Sequence, residues 1–170
     1  MTRKKYSKKT AAKSSSKPSR GVKIFARNRK AFYNYEVIDR YEAGIVLTGA
    51  EVKSIKSGNV SLAESFIQVE KGEVWLWNCH IGQWIYSGDM NYDPIRKRKL
   101  LLNKKEITQL GGKSREKGMT LIPIRLYAVR GKIKVEIGLC RGKKKYEKKQ
   151  KEKERMLNKE MHEIKRKYMV

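Results

Sequence analysis

A short glycine-bracketed segment, residues 41–54, most restricts the fold, because it combines a strand, a turn and a helix in very few residues. Residues 45–47 are aliphatic, which is typical of a buried strand, and a glycine lies on either side of them. Thr48 and Glu51 have the Thr-x-x-Glu spacing of a capping box. A helix is therefore predicted to begin after Thr48 and to end at Gly58.

Most of the remaining pattern is typical of strands. Alternating or β-branched runs predict strands at residues 32–38, 61–69, 74–81, 119–129 and 132–139. Turn residues join the second to the third of these and the fourth to the fifth. A helix is predicted from Lys104 to Leu110, with Asn103 as its cap and Gly111 as its stop. Closely spaced strands with two or three short helices indicate a mainly β fold, a closed or nearly closed barrel.

The charge of the chain indicates a polyanionic partner. The net charge is +25 and the pI is about 10.1, far more than solubility requires. Composition does not choose between RNA and DNA, but an anionic membrane is the least favoured partner, because the apolar runs are only a few residues long. The two cysteines, Cys79 and Cys140, are expected to be packed free thiols, and with no secretory signal we expect a cytoplasmic protein.

Three regions differ in composition. Residues 1–23 are basic and lack acids, so we predict a disordered tail that either aids solubility or contacts phosphates. Residues 24–140 form the predicted barrel domain. Residues 141–170 are a second basic tail, in which apolar residues recur at helical spacing. So narrow an apolar stripe predicts disorder when free and a helix on binding.

Catalysis is not indicated. His80 and His162 lack a neighbouring nucleophile or a metal-ligand partner at characteristic spacing, and the acidic residues are too dispersed for a nuclease metal site. We therefore predict no enzyme, no cofactor and no metal. Tryptophans and tyrosines interleaved with lysines favour nucleic-acid binding by stacking and phosphate contacts. Trp75 and Trp77, however, are predicted to belong to the core.

Several collinear blocks, residues 28–31, 42–56, 59–66, 80–81, 93–103 and 132–146, resemble the small protein B family, which binds transfer-messenger RNA (the SsrA RNA) in bacterial ribosome rescue. The resemblance implies an oligonucleotide-binding-type closed β-barrel. It also implies binding to the tRNA-like domain of that RNA and its delivery, charged with alanine, to stalled ribosomes. The C-terminal tail would occupy the decoding centre and the empty messenger channel.

The resemblance also implies a set of RNA-binding residues: Asn28, Tyr35, Glu42, Leu101, Asn103 and Lys134. Glu42 could accept hydrogen bonds from base amino groups or orient a neighbouring arginine, although a turn or helix cap is its structural alternative. Leu101 could instead belong to the core. Lys134 is expected to lie on the outward face of its strand, free to contact a phosphate.

In the tail, the resemblance implies that ribosome contacts come from Gly142, Lys143, Lys144, Tyr146, Lys148, Leu157, Met161 and Ile164. Family members often have Asp-Lys-Arg where this chain has Glu147, Lys148 and Lys149, so the planar fork of the arginine is lost at Lys149. We expect a monomer whose partners are transfer-messenger RNA and the ribosome, at the decoding centre and messenger channel of its small subunit. The competing hypothesis is a ribosomal or ribosome-assembly protein with a basic barrel and tails.

Overall fold

The computed structural model describes residues 22–88 and 91–168. Nine strands are present in this part of the chain: β1 (Lys23–Arg27), β2 (Tyr35–Ile45), β3 (Val60–Ser61), β4 (Phe66–Glu70), β5 (Glu73–Trp77), β6 (His80–Ile81), β7 (Arg98–Leu101), β8 (Met119–Val129) and β9 (Lys132–Gly142). The same part has four helices: α1 (Arg29–Asn34), α2 (Gly49–Lys56), α3 (Lys104–Ser114) and α4 (Lys145–Tyr168).

Six antiparallel strands close into a ring, in the order β8-β4-β5-β7-β2-β9 and back to β8. Strand β1 adds to β8 outside the ring, and β3 pairs with β6 in a separate small sheet. The predicted closed β-barrel with short flanking helices is therefore confirmed. Closure removes the exposed sheet edges that a flat sheet of this length would present.

The inward-facing side chains of the ring form one hydrophobic core. Strand β9 contributes Val135, Ile137 and Leu139, each at most 1% exposed, and every second residue of the strand faces inward. Ile55 of α2 and Leu110 of α3 are fully buried in the same core. Helices α2 and α3 therefore pack against this core, whereas Ala31 of α1 packs with Ile122 and Cys140 in a second buried cluster.

The segment at residues 41–54 folds largely as expected. Thr48 caps α2, and Glu51 completes the capping box by accepting a hydrogen bond from the Thr48 N–H at 2.8 Å. The carboxylate of Glu51 also accepts from the guanidinium groups of Arg96 and Arg98, each with an Nε to Oε1 distance of 2.8 Å. Glu51 and Arg98 are both fully buried, which the basic run at residues 96–99 did not predict.

The predicted first strand at residues 32–38 is confirmed from Tyr35 onward, where it belongs to β2, but is wrong over residues 32–34. Residues 29–34 form α1, and the strand that follows begins only at Tyr35. Asn28 causes this difference by capping the helix, because its Oδ1 accepts a hydrogen bond from the Ala31 N–H at 3.0 Å. The strand at residues 45–47 is also wrong in extent, since β2 ends at Ile45 and Val46 is 46% exposed.

Two other predicted strands are interrupted. Residues 61–69 divide into β3 and β4, because Ser65 turns back to donate to the Leu62 carbonyl at 2.7 Å. Residues 74–81 divide into β5 and β6 at Asn78, which has a φ of +53°. Within β5, Val74 and Leu76 are fully buried, whereas Trp75 and Trp77 face outward and are half-buried. The prediction that these two tryptophans belong to the core is therefore wrong.

Tertiary packing overrides local preference in two places. Helix α3 does not stop at Gly111 but continues to Ser114, with Leu110 fully buried and Gly111 against the side chain of Val69. In β8 the pairing register shifts between Pro123 and Arg125. The side chains beyond this bulge therefore point to the opposite face from simple alternation.

The C-terminal region forms α4, where the sequence predicted a helix. That this helix orders only on binding stays a prediction, as does the division of the chain into three regions. Nearly all of the predicted N-terminal tail, residues 1–21, lies outside the described residues. None of the helices that the structure describes is both long and apolar enough to span a bilayer.

Candidate nucleic-acid interface

Four of the six predicted RNA-binding residues meet at one cleft of about 480 Å³. Glu42, Leu101, Asn103 and Lys134 line it, together with Gly44, Leu102 and Glu106. These residues come from β2, β7, the turn before α3, the first turn of α3, and β9, so the closed ring brings them together. We call this place the Glu42 cleft.

The strand register explains how the Glu42 cleft is built. Gly44 lies opposite Leu101 on one side and opposite Lys134 on the other, and Lys134 lies opposite Tyr127. Two residues along β2 and β9, Glu42 lies opposite Glu136, which lies opposite Arg125. Cross-strand neighbours on one face have Cβ atoms roughly 5 Å apart, so these side chains form a continuous outer surface.

Gly44 keeps the floor of the Glu42 cleft open. A Cβ atom at this position would lie 3.3 Å from the Leu101 Cβ, closer than ordinary contact. Leu101 itself is 52% exposed, so the structure places it on the surface and not in the core. The glycine therefore lets an exposed leucine lie flat across the neighbouring strand.

The carboxylate of Glu42 is held from two sides. Lys134 Nζ donates to Oε1 and the Tyr127 hydroxyl donates to Oε2. The hydrogen bond from Lys134, followed by that from Tyr127, lowers the pKa of Glu42 below its ordinary value of 4.5. Burial, and then the hydrogen bond to Glu42, raises the pKa of Tyr127 well above its usual range. Glu42 is therefore ionised at neutral pH and Tyr127 keeps its proton.

Glu42 lies in the middle of β2, so the alternative of a helix or turn cap does not apply to it. Its side chain is 49% exposed. An ionised carboxylate has roughly four lone-pair sites, and the two protein donors occupy two of them. The other sites can accept hydrogen bonds from base amino groups or ribose hydroxyls.

Sequence reasoning missed a cationic cluster beside the Glu42 cleft. Glu136, only 7% exposed, forms ion pairs with Arg125 of β8 and with Arg40 of β2. The Arg125 guanidinium also lies 5.0 Å from the ring centroid of Tyr127. The chain order separates these residues by up to 96 positions, and only the strand register joins them.

Asn103 occupies the N-cap position of α3, as predicted. Its backbone N–H donates to the Glu106 carboxylate at 3.0 Å, which places an acid at the positive end of the helix. The side chain of Asn103 is exposed at the rim of the Glu42 cleft. It therefore presents an amide donor and acceptor to any ligand in the cleft.

Asn28 and Tyr35 lie elsewhere. Asn28 is 3% exposed, and besides capping α1 it donates through Nδ2 to the Leu62 carbonyl at 2.9 Å. These contacts give Asn28 a structural role. Tyr35 begins β2, packs beside Ala31 and pairs with Gly142, so it lies at the opposite end of β2 from the Glu42 cleft.

The predicted tail residues begin next to Tyr35. Gly142 ends β9, and Lys143 is anchored to α1 by its backbone N–H to the Asn34 carbonyl at 3.0 Å and by Nζ to the Phe32 carbonyl at 2.8 Å. Carbonyls at a helix C-terminus favour a cation. The Lys144 N–H donates to the Glu147 carboxylate at 2.9 Å, at the start of α4.

Along α4, Tyr146, Leu157, Met161 and Ile164 are between 52% and 61% exposed. Lys148 belongs to the helix, but its side chain lies outside the described part of the structure. The helix sequence has ten lysines and arginines against five glutamates. An exposed apolar stripe on a cationic helix suits a polyanionic partner with hydrophobic surfaces.

The described residues hold no cluster of three or more histidine, cysteine, aspartate or glutamate side chains that could bind a metal ion. Cys79 and Cys140 are both buried and free, as predicted. Burial raises the pKa of each thiol to about 11. At neutral pH both are therefore protonated and poorly nucleophilic.

Comparison with known proteins shows which protein family this chain resembles. Residues 25–167 match the family model described as SmpB protein. The SsrA-binding protein of Sulfurihydrogenibium sp. is 51% identical over 139 residues, covering 82% of this chain and 91% of the relative. That of Acidothermus cellulolyticus is 52% identical over 130 residues, covering 76% and 82%.

A solved structure also resembles this chain. It carries the description "tmRNA-SmpB: a journey to the center of the bacterial ribosome", and the matching chain is 48% identical with a TM-score of 0.60. The match covers 70% of this chain and 84% of the other. The likeness therefore includes most of the barrel domain.

Proposed function

The chain belongs to the SmpB protein family, and from this premise we propose that it is an RNA-binding adaptor of trans-translation, not an enzyme. It binds the tRNA-like domain of transfer-messenger RNA and delivers that RNA to stalled ribosomes. The curated relatives are named for binding SsrA, and the similar solved structure concerns transfer-messenger RNA and the ribosome. We place this activity in the cytoplasm and assign it to a monomer.

The observation that carries the proposal is the Glu42 cleft. It joins a cation, an ionised acceptor, an exposed apolar side chain and an exposed amide in one small space. Lys134 suits a phosphate, Glu42 suits a base amino group or a ribose 2′-hydroxyl, and Leu101 suits the flat face of a base or sugar. Asn103 adds a hydrogen-bonding group at the rim. This mixture favours recognition of a folded RNA over attraction by charge alone.

The C-terminal tail supplies the ribosomal contact in this proposal. Lys143 ties the start of the tail to α1, so the cationic helix α4 leaves the barrel at the end opposite the Glu42 cleft. As a helix of 24 residues it extends roughly 36 Å, at about 1.5 Å per residue. That reach suits a segment that enters the decoding centre and the empty messenger channel while the cleft holds RNA.

A gel-shift titration at fixed physiological salt tests the RNA partner. It compares the tRNA-like domain with an ordinary tRNA and with duplex DNA of similar charge, because affinity for nucleic acid depends strongly on salt. We expect a clear preference for the tRNA-like domain. Equal binding to all three ligands would contradict the proposal and favour a ribosomal or ribosome-assembly protein.

Deletion of residues 150–170 tests the role of the tail. The barrel and the Glu42 cleft remain, so affinity for the tRNA-like domain should be unchanged. Peptide tagging on stalled ribosomes should be lost in a reconstituted translation assay. Tagging that survives the deletion would show that the tail is not required.

A further inference from the structure

We propose that the outer face of β4, β5 and β7 is a second RNA-contact surface, on which unpaired nucleotides of the RNA held in the Glu42 cleft stack. We call it the aromatic platform, and its residues are Phe66, Trp75, Trp77, Lys97 and Lys99. The proposal rests on the proposed function, because it takes that RNA as the ligand. It adds to that function a second binding site and its ligand class, unpaired nucleotides.

The aromatic platform exists because side chains along β5 point alternately into the core and to the outside of the barrel. Val74 and Leu76 are fully buried in the core, so Trp75 and Trp77 point to the outside of the barrel and are half-buried there. Phe66 lies directly opposite Trp77 on β4 and is 39% exposed. The barrel therefore displays three aromatic side chains on one outer face.

Phe66 and Trp77 are already stacked. Their ring planes differ by only 3° and their centroids lie 6.2 Å apart. A stacked, partly exposed pair extends its stack when a nucleic-acid base lies parallel on an exposed ring face, and every base has such a face. Binding of this kind needs no particular nucleotide sequence.

Lysines lie over the same rings. Lys97 Nζ is 4.9 Å from the centroid of Trp75 and 5.1 Å from that of Trp77, and Lys99 Nζ is 6.0 Å from that of Trp75. A stacking base would displace the ammonium of Lys97 from the ring face. The flexible stem of the lysine then lets that charge reach the phosphate of the same nucleotide.

This charge complementarity favours RNA over a protein partner. The lysines cover the apolar rings that a hydrophobic protein surface would need to reach. A polyanion instead gains from both parts of the platform, since its bases meet the rings and a phosphate meets the Lys97 ammonium, whereas Lys99 is ion-paired with Glu73 of β5.

The platform is continuous with the Glu42 cleft along β7. Trp75 lies opposite Lys99, and Leu101 of the cleft is two residues further along the same face of β7. At about 3.3 Å per residue, this step is roughly 7 Å, close to the spacing of neighbouring nucleotides in a single strand. One RNA molecule can therefore contact both surfaces.

Fluorescence and affinity test the platform, with the isolated tRNA-like domain as the probe. In a Trp84→Phe background, Trp75 and Trp77 are the only tryptophans, so RNA binding should quench their emission. Trp75→Leu should weaken binding roughly tenfold, because each stacked base contributes about 1–3 kcal/mol. Trp75→Phe keeps a ring and should bind nearly as tightly as the unchanged protein.

Two further variants separate stacking from packing and charge. Trp84→Leu removes a tryptophan outside the platform and should leave the affinity unchanged. Lys97→Met keeps the aliphatic stem but removes one phosphate contact, so the slope of log affinity against log salt should fall by about one. Urea denaturation of each variant identifies any loss of RNA affinity that comes from unfolding.

The outcomes are distinct. If the tRNA-like domain is preferred over ordinary tRNA, but quenching is absent and Trp75→Leu binds normally, the platform proposal is overturned while the proposed function stands. Normal affinity for the tRNA-like domain with lost ribosome binding would assign this face to a ribosomal contact, which also overturns the proposal. If the tRNA-like domain is not preferred at all, the proposed function fails and this proposal fails with it.

Discussion

Glu42 and Glu51 are both glutamates in the same strand-turn-helix segment, yet one carboxylate faces solvent and the other is buried in the core. Glu51 is fully buried and is held by the Thr48 N–H, Arg96 and Arg98. Glu42 is half-exposed, and Lys134 and Tyr127 hold it facing solvent. Both carboxylates have a lowered pKa; for Glu51, burial acts in the opposite direction but the partner groups outweigh it.

The difference shows that one recognisable segment can contain both residues that stabilise the fold and residues that bind a ligand. The capping box and its ion pairs specify where α2 begins and how β7 is attached, and a ligand cannot reach the buried Glu51 carboxylate or Arg98. The exposed part of β2 specifies what the barrel binds. Burial, which neither residue's neighbours in sequence reveal, separates the two roles. The predictions that follow test this separation.

Glu51→Ala should have the largest effect, and it should fall on stability. The variant leaves Arg98 buried without its carboxylate partner, which typically costs about 3–5 kcal/mol in unfolding free energy. Urea denaturation followed by circular dichroism measures this loss. The affinity of the molecules that remain folded for the tRNA-like domain should be unchanged. A stable variant with lost affinity would mean that Glu51 acts in binding.

Glu42→Ala should have the opposite effect, with little loss of stability. Its affinity for the tRNA-like domain should fall at least roughly tenfold, since hydrogen bonds to charged groups contribute about 1.5–3 kcal/mol. Glu36→Ala is a matched control. Glu36 lies on the same strand, is 57% exposed and pairs with Arg141 of β9 at 2.9 Å. It should bind like the unchanged protein.

This pair of variants separates recognition from charge. Each substitution removes one negative charge, so attraction by charge alone predicts equal or slightly tighter RNA binding in both. Weaker binding in Glu42→Ala only, in a titration at fixed salt, would support a specific acceptor. Equal affinities for the two variants would remove Glu42 from the interface.

Tyr127→Phe should have the smallest effect, because it removes one hydroxyl and keeps the ring. Without that hydrogen bond the pKa of Glu42 should rise toward 4.5, although the contact with Lys134 keeps it below that value. Carboxyl-carbon NMR over a pH titration measures this shift. Affinity for the tRNA-like domain should fall only severalfold, as expected of one hydrogen bond worth about 1 kcal/mol. An unmoved pKa would show that Tyr127 does not position Glu42.

Much of the barrel could be predicted from sequence, since the capping box and the hairpins at Gly72 and Gly131 have strong local signals. The errors had two sources. Asn28 begins a helix inside an aromatic, strand-like run through a local cap to Ala31, a contact that the strand pattern does not show. Helix α3 instead continues through two glycines because Leu110 is buried in the core, and a local pattern does not contain such packing partners.

The candidate site was only partly predictable for a related reason. The family resemblance supplied Glu42, Leu101, Asn103 and Lys134, which the fold brings together. It could not supply Tyr127 or Arg125, because the register of β8 against β9 joins them to the cleft. A resemblance does not distinguish buried from exposed residues within a motif, so it also did not predict that Asn28 is buried.

The long-range pairing of β2 has a consequence for biosynthesis. Residues 35–44 of β2 pair with β9, up to 107 positions later in the chain, and Glu51 pairs with Arg98, 47 positions after it. While the protein is being translated, the N-terminal half therefore emerges with an unpaired strand and an uncompensated acid. The barrel cannot close until nearly the whole chain has left the ribosome, so the nascent chain must stay soluble without its native core.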